Sequence, residues 1–405
     1  MLAYTVIAGI LFSWALLSHR LARWSITAPI ALMAAGIALT HGDHPPLTFE
    51  FDNAAFEHAV EVVLALLLFV DATEVPGAVI RRERDLTARL LAVALPLTLC
   101  AAFLAGLACF PGQPAWLLAA LATVVVPLDL APTTAVVRDR RIPARLREVL
   151  NVEGGLNDGV VSPVFLLCVA IGVESHSGGS TDYAEALLEA VTAAGWALAA
   201  GAATGLTAGW TLRRSWERGW TQASATRLAV LAVPVAAYTL SVALGGNGFV
   251  ASFVAGVCFA PTLVRIGHSA VEMADDVVTL LTLALWFVFG QIVNDEFWDG
   301  FEAPVLLFAL LAVTLVRIGP VLLALIGTPL TLGDRLFLGW MGPRGVTSIV
   351  FGLLAVVELP DERGGFIAQV MVMTVMLSIV LHGLSAEPLG RRYARRTLAR
   401  DADPS

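Results

Sequence analysis

Lysine is absent from the 405-residue sequence, so all 25 basic residues are arginines. Charged residues make up only 14% of the chain, whereas 58% of the residues are hydrophobic. A soluble globular chain carries about 25% charged residues. The scarcity of charge therefore excludes an ordinary soluble protein and indicates that lipid surrounds most of the chain. The missing lysine also excludes mechanisms that need a lysine amine inside the membrane.

Cysteine is scarce, and its positions exclude a metal site. The four cysteines, Cys100, Cys109, Cys168 and Cys258, lie inside apolar stretches without the spacing of metal ligands. The seven histidines form no cluster either. We therefore expect no disulfides and no cofactor.

Hydrophobic runs long enough to cross a bilayer recur along the whole chain. A spanning helix needs about 20 mostly apolar residues. The sequence contains thirteen such runs with short polar joints between them, which predicts an all-α polytopic membrane protein. The first run lacks the basic start and cleavage site of a secretory signal, so we expect it to be retained. The predicted spans are 2–18, 25–40, 57–73, 88–109, 115–137, 149–172, 184–211, 226–244, 247–263, 276–293, 303–327, 335–358 and 364–387.

Arginine clusters follow spans one, three, five, seven and thirteen, whereas the intervening joints are acidic or neutral with Arg363 as the exception. The positive-inside rule places the arginine-rich joints in the cytoplasm. The sequence therefore predicts a multi-pass protein of the inner (plasma) membrane with its N-terminus outside and its C-terminus in the cytoplasm. We expect the arginine-rich tail to meet anionic lipid headgroups, and we expect no nucleic-acid partner.

Two spans carry helix-breaking residues at membrane depth. Span five contains Pro127 and Pro132 on either side of Asp129, and span twelve contains the sequence Gly-Pro-Arg-Gly at 342–345. Proline removes an amide donor and clashes with the preceding turn. Broken backbone is tolerated in a bilayer only where protein or a water-filled cavity satisfies it. Such a pair of interruptions in two halves of a chain is typical of an inverted-repeat transporter with its binding site near the midplane.

Span six places two carboxylates and an amide in one apolar helix. Positions four apart share a helix face, which groups Glu153 with Asn157 and Asp158 with Ser162. A carboxylate at membrane depth is costly, and ionisable residues there mark functional sites more often than structural pairs. A proton or a cation relieves the cost. If a proton and a cation cannot occupy Asp158 together, binding of one expels the other. A transport protein that changes conformation only when Asp158 is occupied would then exchange one for the other.

For the other charged residues in the apolar runs, a structural role is weighed against a role in ion binding. We expect Glu153 to form a structural ion pair with Arg344, because a stranded partner would cost about 3–5 kcal/mol. Asp129 is interpreted equally as support for an ion site or as a helix cap, and Asp71 as a cap more than as part of an inner funnel. Arg317 either snorkels or pairs inside the bundle, and the sequence does not decide. Possible accessory groups are Asp71, Ser162, Thr133 and Thr134.

Span six resembles the signature of the monovalent cation:proton antiporter-1 family, the NhaP-type and animal sodium/proton exchangers, in which a glutamate precedes an Asn-Asp pair by four residues. The sequence Gly-Pro-Arg-Gly at 342–345 is similar to the glycine-arginine-glycine element of this family, and the region from Pro127 through Asp158 is similar to its paired helices. Phe69-Val70-Asp71-Ala72 and Gly246-Asn247-Gly248-Phe249 also resemble segments of bacterial members.

The resemblance implies exchange of Na⁺ or K⁺ for protons, with Asp158 as the shared carboxylate, Asn157 as its neighbour, and Glu153 with Arg344 as the stabilising pair. It also implies a homodimer and electroneutral exchange, since members with an Asn-Asp pair are generally electroneutral. The implied division is a scaffold of residues 1–87 and 173–302, a moving core of residues 88–172 and 303–388, and a tail of residues 389–405.

Two residues depart from the family pattern. Leu128 stands where the family usually has a threonine, and Gly155 stands where it usually has a serine. Both replacements remove a hydroxyl near the ion, so we do not assume sodium. The alternatives are a carrier or channel for another substrate, a non-transporting scaffold or sensor, and a membrane-embedded enzyme with Asp158 and Glu153 as an acid/base pair. An enzyme is the least favoured, because no nucleophile, metal cluster or phosphate loop accompanies the pair.

Overall fold

The structure is a computed structural model that describes residues 2–22, 26–42, 54–75, 82–130, 133, 139, 141–176, 183–297, 302–359 and 362–402. Within these residues the chain is helical and contains no strand. The predicted all-α class is therefore confirmed.

Helices occupy the stretches that the hydrophobic runs predict. In chain order they are α1 (Leu2–Ala22), α2 (Ala28–Thr40), α3 (Ala54–Glu74), α4 (Arg84–Cys109), α5 (Ala115–Val125), α6 (Ala144–His176), α7 (Tyr183–Glu217), α8 (Ala223–Ala243), α9 (Gly248–Ile266), α10 (Glu272–Phe297), α11 (Ala303–Ala324), α12 (Leu332–Trp340), α13 (Val346–Glu358) and α14 (Glu362–Ala402).

Eight of these helices are long and apolar enough to cross a membrane, judged over the described part of the chain: α4, α6 to α11 and α14. Four further apolar helices, α1, α2, α5 and α13, are shorter than a membrane-spanning length over their described residues. The chain is thus a multi-pass membrane protein, while the count of thirteen crossings stays a prediction.

The two interruptions predicted from the sequence lie against each other. α5 ends at Val125, and the backbone from Pro127 to Leu130 is not helical. The second break separates α12 from α13 over residues 341–345. The amide of Asp129 donates to the carbonyl of Pro343 at 2.9 Å, so each break supplies a partner for the other. Backbone that would be unsatisfied in lipid is therefore satisfied by protein.

Space explains Gly345, the later of the two glycines in the second break. A Cβ atom at Gly345 would overlap the carboxylate of Asp129. The residue has an extended backbone (φ −166°) that any amino acid can adopt. Gly345 is thus needed for close approach of the two breaks and not for an unusual conformation.

The apolar core holds α6 against the helix that follows the second break. Phe165 of α6 stacks on Phe351 of α13 with ring centroids 4.6 Å apart. Both rings are fully buried. α3 and α9 pack on the same core, where Phe69 and Phe259 lie 5.8 Å apart. α6, which carries Glu153 and Asp158, therefore packs against α3 and α13.

Candidate functional site

Asp158 is the carboxylate at the centre of the candidate site. Its side chain is enclosed, with 2% of the residue surface exposed, and Asn157 beside it is 1% exposed. The hydroxyl of Thr347, at the start of α13, donates to Oδ2 of Asp158. Among the described residues, Oδ1 of Asp158 and Oδ1 of Asn157 have no hydrogen-bond partner. A buried polar oxygen without a partner is costly, and a bound proton or cation would satisfy it.

A cavity of about 240 Å³ lies beside this carboxylate. Among the described residues, four acidic side chains and no basic side chain line it, so its chemistry suits a cation and opposes an anion. Glu74, at the end of α3, is exposed and marks the outer part of the cavity. The polar side chains of the lining are Asp71, Glu74, Asp129, Asn151, Asp158, Thr282 and Thr347.

Asp129 caps a helix and also lines the cavity. Its Oδ2 accepts a hydrogen bond from the amide of Val346 at 2.9 Å, which caps the N-terminus of α13. The N-terminal end of a helix is positive, so a carboxylate is favourable there. Asp129 also lines the cavity. The cap fixes its position, and its part in ion binding stays a prediction.

Arg344, in the break before α13, places a positive charge beside backbone carbonyls of neighbouring helices. Its guanidinium donates to the carbonyl of Val126 at 2.8 Å and to that of Ala312 at 3.3 Å. The carbonyl of Val126 lies just beyond the C-terminal end of α5, where a cation is favourable. The backbone amide of Arg344 donates to the hydroxyl of Ser378 at 2.7 Å. Arg344 therefore stabilises the crossing.

The predicted ion pair between Glu153 and Arg344 is corrected by the structure. Glu153 instead forms a two-pronged pair with Arg317 of α11, with distances of 2.9 Å and 3.1 Å. The planar guanidinium fork matches both carboxylate oxygens, whereas the fork of Arg344 is directed to carbonyls. Arg317 thus pairs inside the bundle, which the sequence had left undecided.

The accessory candidates divide between the cavity and the surrounding helices. Asp71 lines the cavity, although capping was the favoured interpretation. Ser162 is buried and its hydroxyl donates within α6 to the carbonyl of Gly159 at 3.3 Å, while Thr133 donates to the carbonyl of Leu130 at 3.2 Å. Neither lines the cavity. Thr134 lies outside the described residues.

Sequence reasoning missed Thr347 and Thr282, the two threonines of the lining. Thr347 lies two positions after the Pro-Arg-Gly element in a run that reads as an apolar helix, and Thr282 lies in the middle of α10. A hydroxyl in an apolar helix commonly bonds its own backbone. The sequence therefore offered no sign that either side chain reaches the cavity.

Known membrane transporters are similar to this chain over most of its length. The family model described as "Sodium/hydrogen exchanger, transmembrane" matches residues 6–392. The K(+)/H(+) antiporter NhaP2 of Shewanella sp. (strain ANA-3) is 22% identical over 376 residues, which are 90% of this chain and 62% of that protein. The chain thus spans less than two thirds of the length of this relative. The Na(+)/H(+) antiporter of Schizosaccharomyces pombe is 24% identical over 379 residues, which are 86% of this chain and 78% of that protein.

The fold matches a solved structure over almost its whole length. The sodium proton antiporter MjNhaP1 from Methanocaldococcus jannaschii superposes with a TM-score of 0.76, covering 97% of this chain and 99% of that one at 18% identity. This similarity shows the fold, and the family model covers nearly the whole chain. The chain belongs to the sodium/hydrogen exchanger family of membrane-spanning transporters.

Proposed function

We propose that this protein exchanges a monovalent cation for a proton across the membrane, with both ligands competing for Asp158. The observation that carries the proposal is the unpartnered Oδ1 of this buried carboxylate beside an acidic cavity. A proton neutralises the carboxylate and leaves it satisfied. A cation does the same by coordination to its oxygens. Because the oxygens cannot serve both fully, arrival of one ligand releases the other.

Exchange of one cation for one proton is the stoichiometry we favour. The residue next to Asp158 is an amide, Asn157, so the central pair holds one exchangeable proton. The carboxylate of Asp129 accepts a hydrogen bond from the backbone of α13. We therefore assign it to capping this helix and do not count it as a second exchangeable proton. Relatives are named as K⁺/H⁺ and Na⁺/H⁺ antiporters. K⁺ and Na⁺ are therefore the first cations to test.

Access to Asp158 runs from the cytoplasm in this conformation. The cavity lining includes Glu74 at the end of α3 and Asn151 in the first half of α6. Both positions adjoin arginine-rich joints, which the positive-inside rule assigns to the cytoplasm. The protein resides in the inner membrane in this proposal, with its N-terminus outside. A core of residues 88–172 and 303–388 moves against the scaffold of a homodimer and exposes Asp158 to the other side.

The test is transport in liposomes that contain a pH-sensitive dye. A proton gradient is imposed, and Na⁺, K⁺ or Li⁺ is added in turn to wild type and to Asp158→Asn. The proposal expects a cation-dependent collapse of the gradient in wild type and none in the variant. Collapse that persists in the variant would remove Asp158 from the mechanism. No response to any cation over a wide pH range would favour another substrate or a non-transporting role.

A further inference from the structure

Two residues of the cavity lining, Leu128 and Gly155, have no side-chain oxygen that could bind a cation. Leu128 is buried and presents an apolar side chain to the cavity. On a second side, Gly155 has no side chain at all. Neither position therefore offers a cation a neutral oxygen from its side chain.

Packing explains why position 155 cannot supply this oxygen. A Cβ atom at Gly155 would lie 2.9 Å from Cγ2 of Val75 and 3.1 Å from the carbonyl oxygen of Asp71. The end of α3 thus approaches α6 too closely for a serine to fit without displacement. The same close approach brings Asp71 to the cavity.

Asn151, Thr282 and Thr347 line the cavity with neutral oxygens, and Thr347 lies at the second position of α13. It is 2% exposed and lines the cavity, and its hydroxyl donates a hydrogen bond to Oδ2 of Asp158. A hydroxyl that donates one hydrogen bond keeps lone pairs with which it can accept or coordinate. The oxygen of Thr347 is therefore next to both the carboxylate and the space that a cation would enter.

We propose that Thr347 is the hydroxyl ligand of the transported cation at Asp158. The inference rests on the proposed antiport. It locates the neutral oxygen on α13, in the half of the chain opposite to α6. Cation binding then links α6 directly to the helix that follows the second break.

The dependence of exchange on cation concentration separates this role from simple packing. Loss of the hydroxyl removes one oxygen from the cation, so the apparent KM for the cation rises. The other charged groups that line this cavity, Asp71, Glu74 and Asp129, are unchanged by the substitution.

The experiment compares Thr347→Val, which keeps the shape, with Thr347→Ser, which keeps the hydroxyl. The matched control is Ser348→Ala, because Ser348 is the next residue, is equally buried and does not line the cavity. Exchange in liposomes is measured against cation concentration and pH. We expect Thr347→Val to raise the apparent KM by about tenfold or more, the effect of one hydrogen bond to a charged group. We expect Thr347→Ser and Ser348→Ala to stay near wild type.

An unchanged apparent KM in Thr347→Val would overturn the inference, as would an equal defect in Ser348→Ala. If Thr347→Val does not yield a monodisperse protein, Thr347→Ala is compared with Thr347→Ser under the same conditions and with the same expectations. Asp158→Asn separates this inference from the antiport itself. Exchange that survives in Asp158→Asn would contradict the proposed function, whereas normal Thr347→Val beside an inactive Asp158→Asn would contradict only the role of Thr347.

Discussion

At the scale of single residues, the site depends on how each buried charge is compensated. Glu153 is neutralised by Arg317, and Arg344 is surrounded by carbonyls. Asp158 differs from Glu153, since no arginine pairs with it among the described residues and its Oδ1 has no hydrogen-bond partner. A site that exchanges ligands needs such a group, because a carboxylate that is fully paired by protein has nothing to exchange.

The ion pair of Glu153 leads to a stability prediction. Glu153→Gln strands the guanidinium of Arg317, so we expect a loss of about 3–5 kcal/mol in the free energy of unfolding. Thermal denaturation of the purified protein in detergent reports the loss. The double variant Glu153→Gln/Arg317→Met should lose less than the sum of the single variants, because it leaves no stranded charge.

A comparison with Arg344 controls this cycle. In Glu153→Gln/Arg344→Met the loss in the free energy of unfolding should equal or exceed the sum of the losses in the two single variants, since Arg344 donates to carbonyls near α5 and in α11 and not to Glu153. Coupling of Glu153 to Arg344 but not to Arg317 would contradict the pairing in the structure and restore the pairing expected from the sequence.

At the scale of helices, the crossing of the two breaks is a reciprocal arrangement of charges. Asp129, from the break after α5, caps the positive end of α13. Arg344, from the break before α13, meets the negative end of α5. Each interruption therefore carries the charge that the other one needs. The arrangement holds Asp158 and Thr347 in contact without continuous helices.

The tight approach of the breaks predicts a large effect from a small substitution. Gly345→Ala would place a methyl group against the Asp129 carboxylate, and we expect a loss of about 1–3 kcal/mol in the free energy of unfolding, the usual effect of overpacking. The matched control is Gly365→Ala in α14, where a Cβ atom would meet open space. Thermal denaturation of both variants checks the difference. Equal stability of the two would contradict the crossing.

The breaks were predictable from the sequence, while their partners were not. Proline and glycine act locally, so Pro127 and the Gly-Pro-Arg-Gly stretch at 342–345 indicate interrupted helices wherever they lie. The contacts that complete the site are long-range: Arg317 is 164 positions from Glu153, and Thr347 is 189 positions from Asp158. The sequence favoured Arg344 as the partner of Glu153 and left Arg317 undecided, and the packing of α11 is what brings Arg317 to Glu153.

At the scale of the whole molecule, the alternation of arginine-rich and acidic joints gives a topology that can be tested. Gln222 lies in the joint after α7, beside Arg213, Arg214 and Arg218, whereas Gln113 lies in the joint between α4 and α5. Both side chains are exposed. The positive-inside rule assigns the first joint to the cytoplasm and the second to the outside.

Labelling of cysteines checks this assignment in a background without the four native cysteines. A membrane-impermeant maleimide should label Gln113→Cys in intact cells. It should label Gln222→Cys only after the membrane is permeabilised. The reverse pattern would invert the topology and move the cavity mouth to the outside.

Competition at Asp158 is the central claim, and proton release by the purified protein tests it most directly. The protein is placed in weakly buffered detergent solution, Na⁺ or K⁺ is added, and the change in pH is recorded for wild type and for Asp158→Asn. We predict release of about one proton for each cation bound by wild type, because a ligand must lose its proton before it coordinates a cation, and none by the variant. Cation binding without proton release, or equal release by Asp158→Asn, would contradict the account.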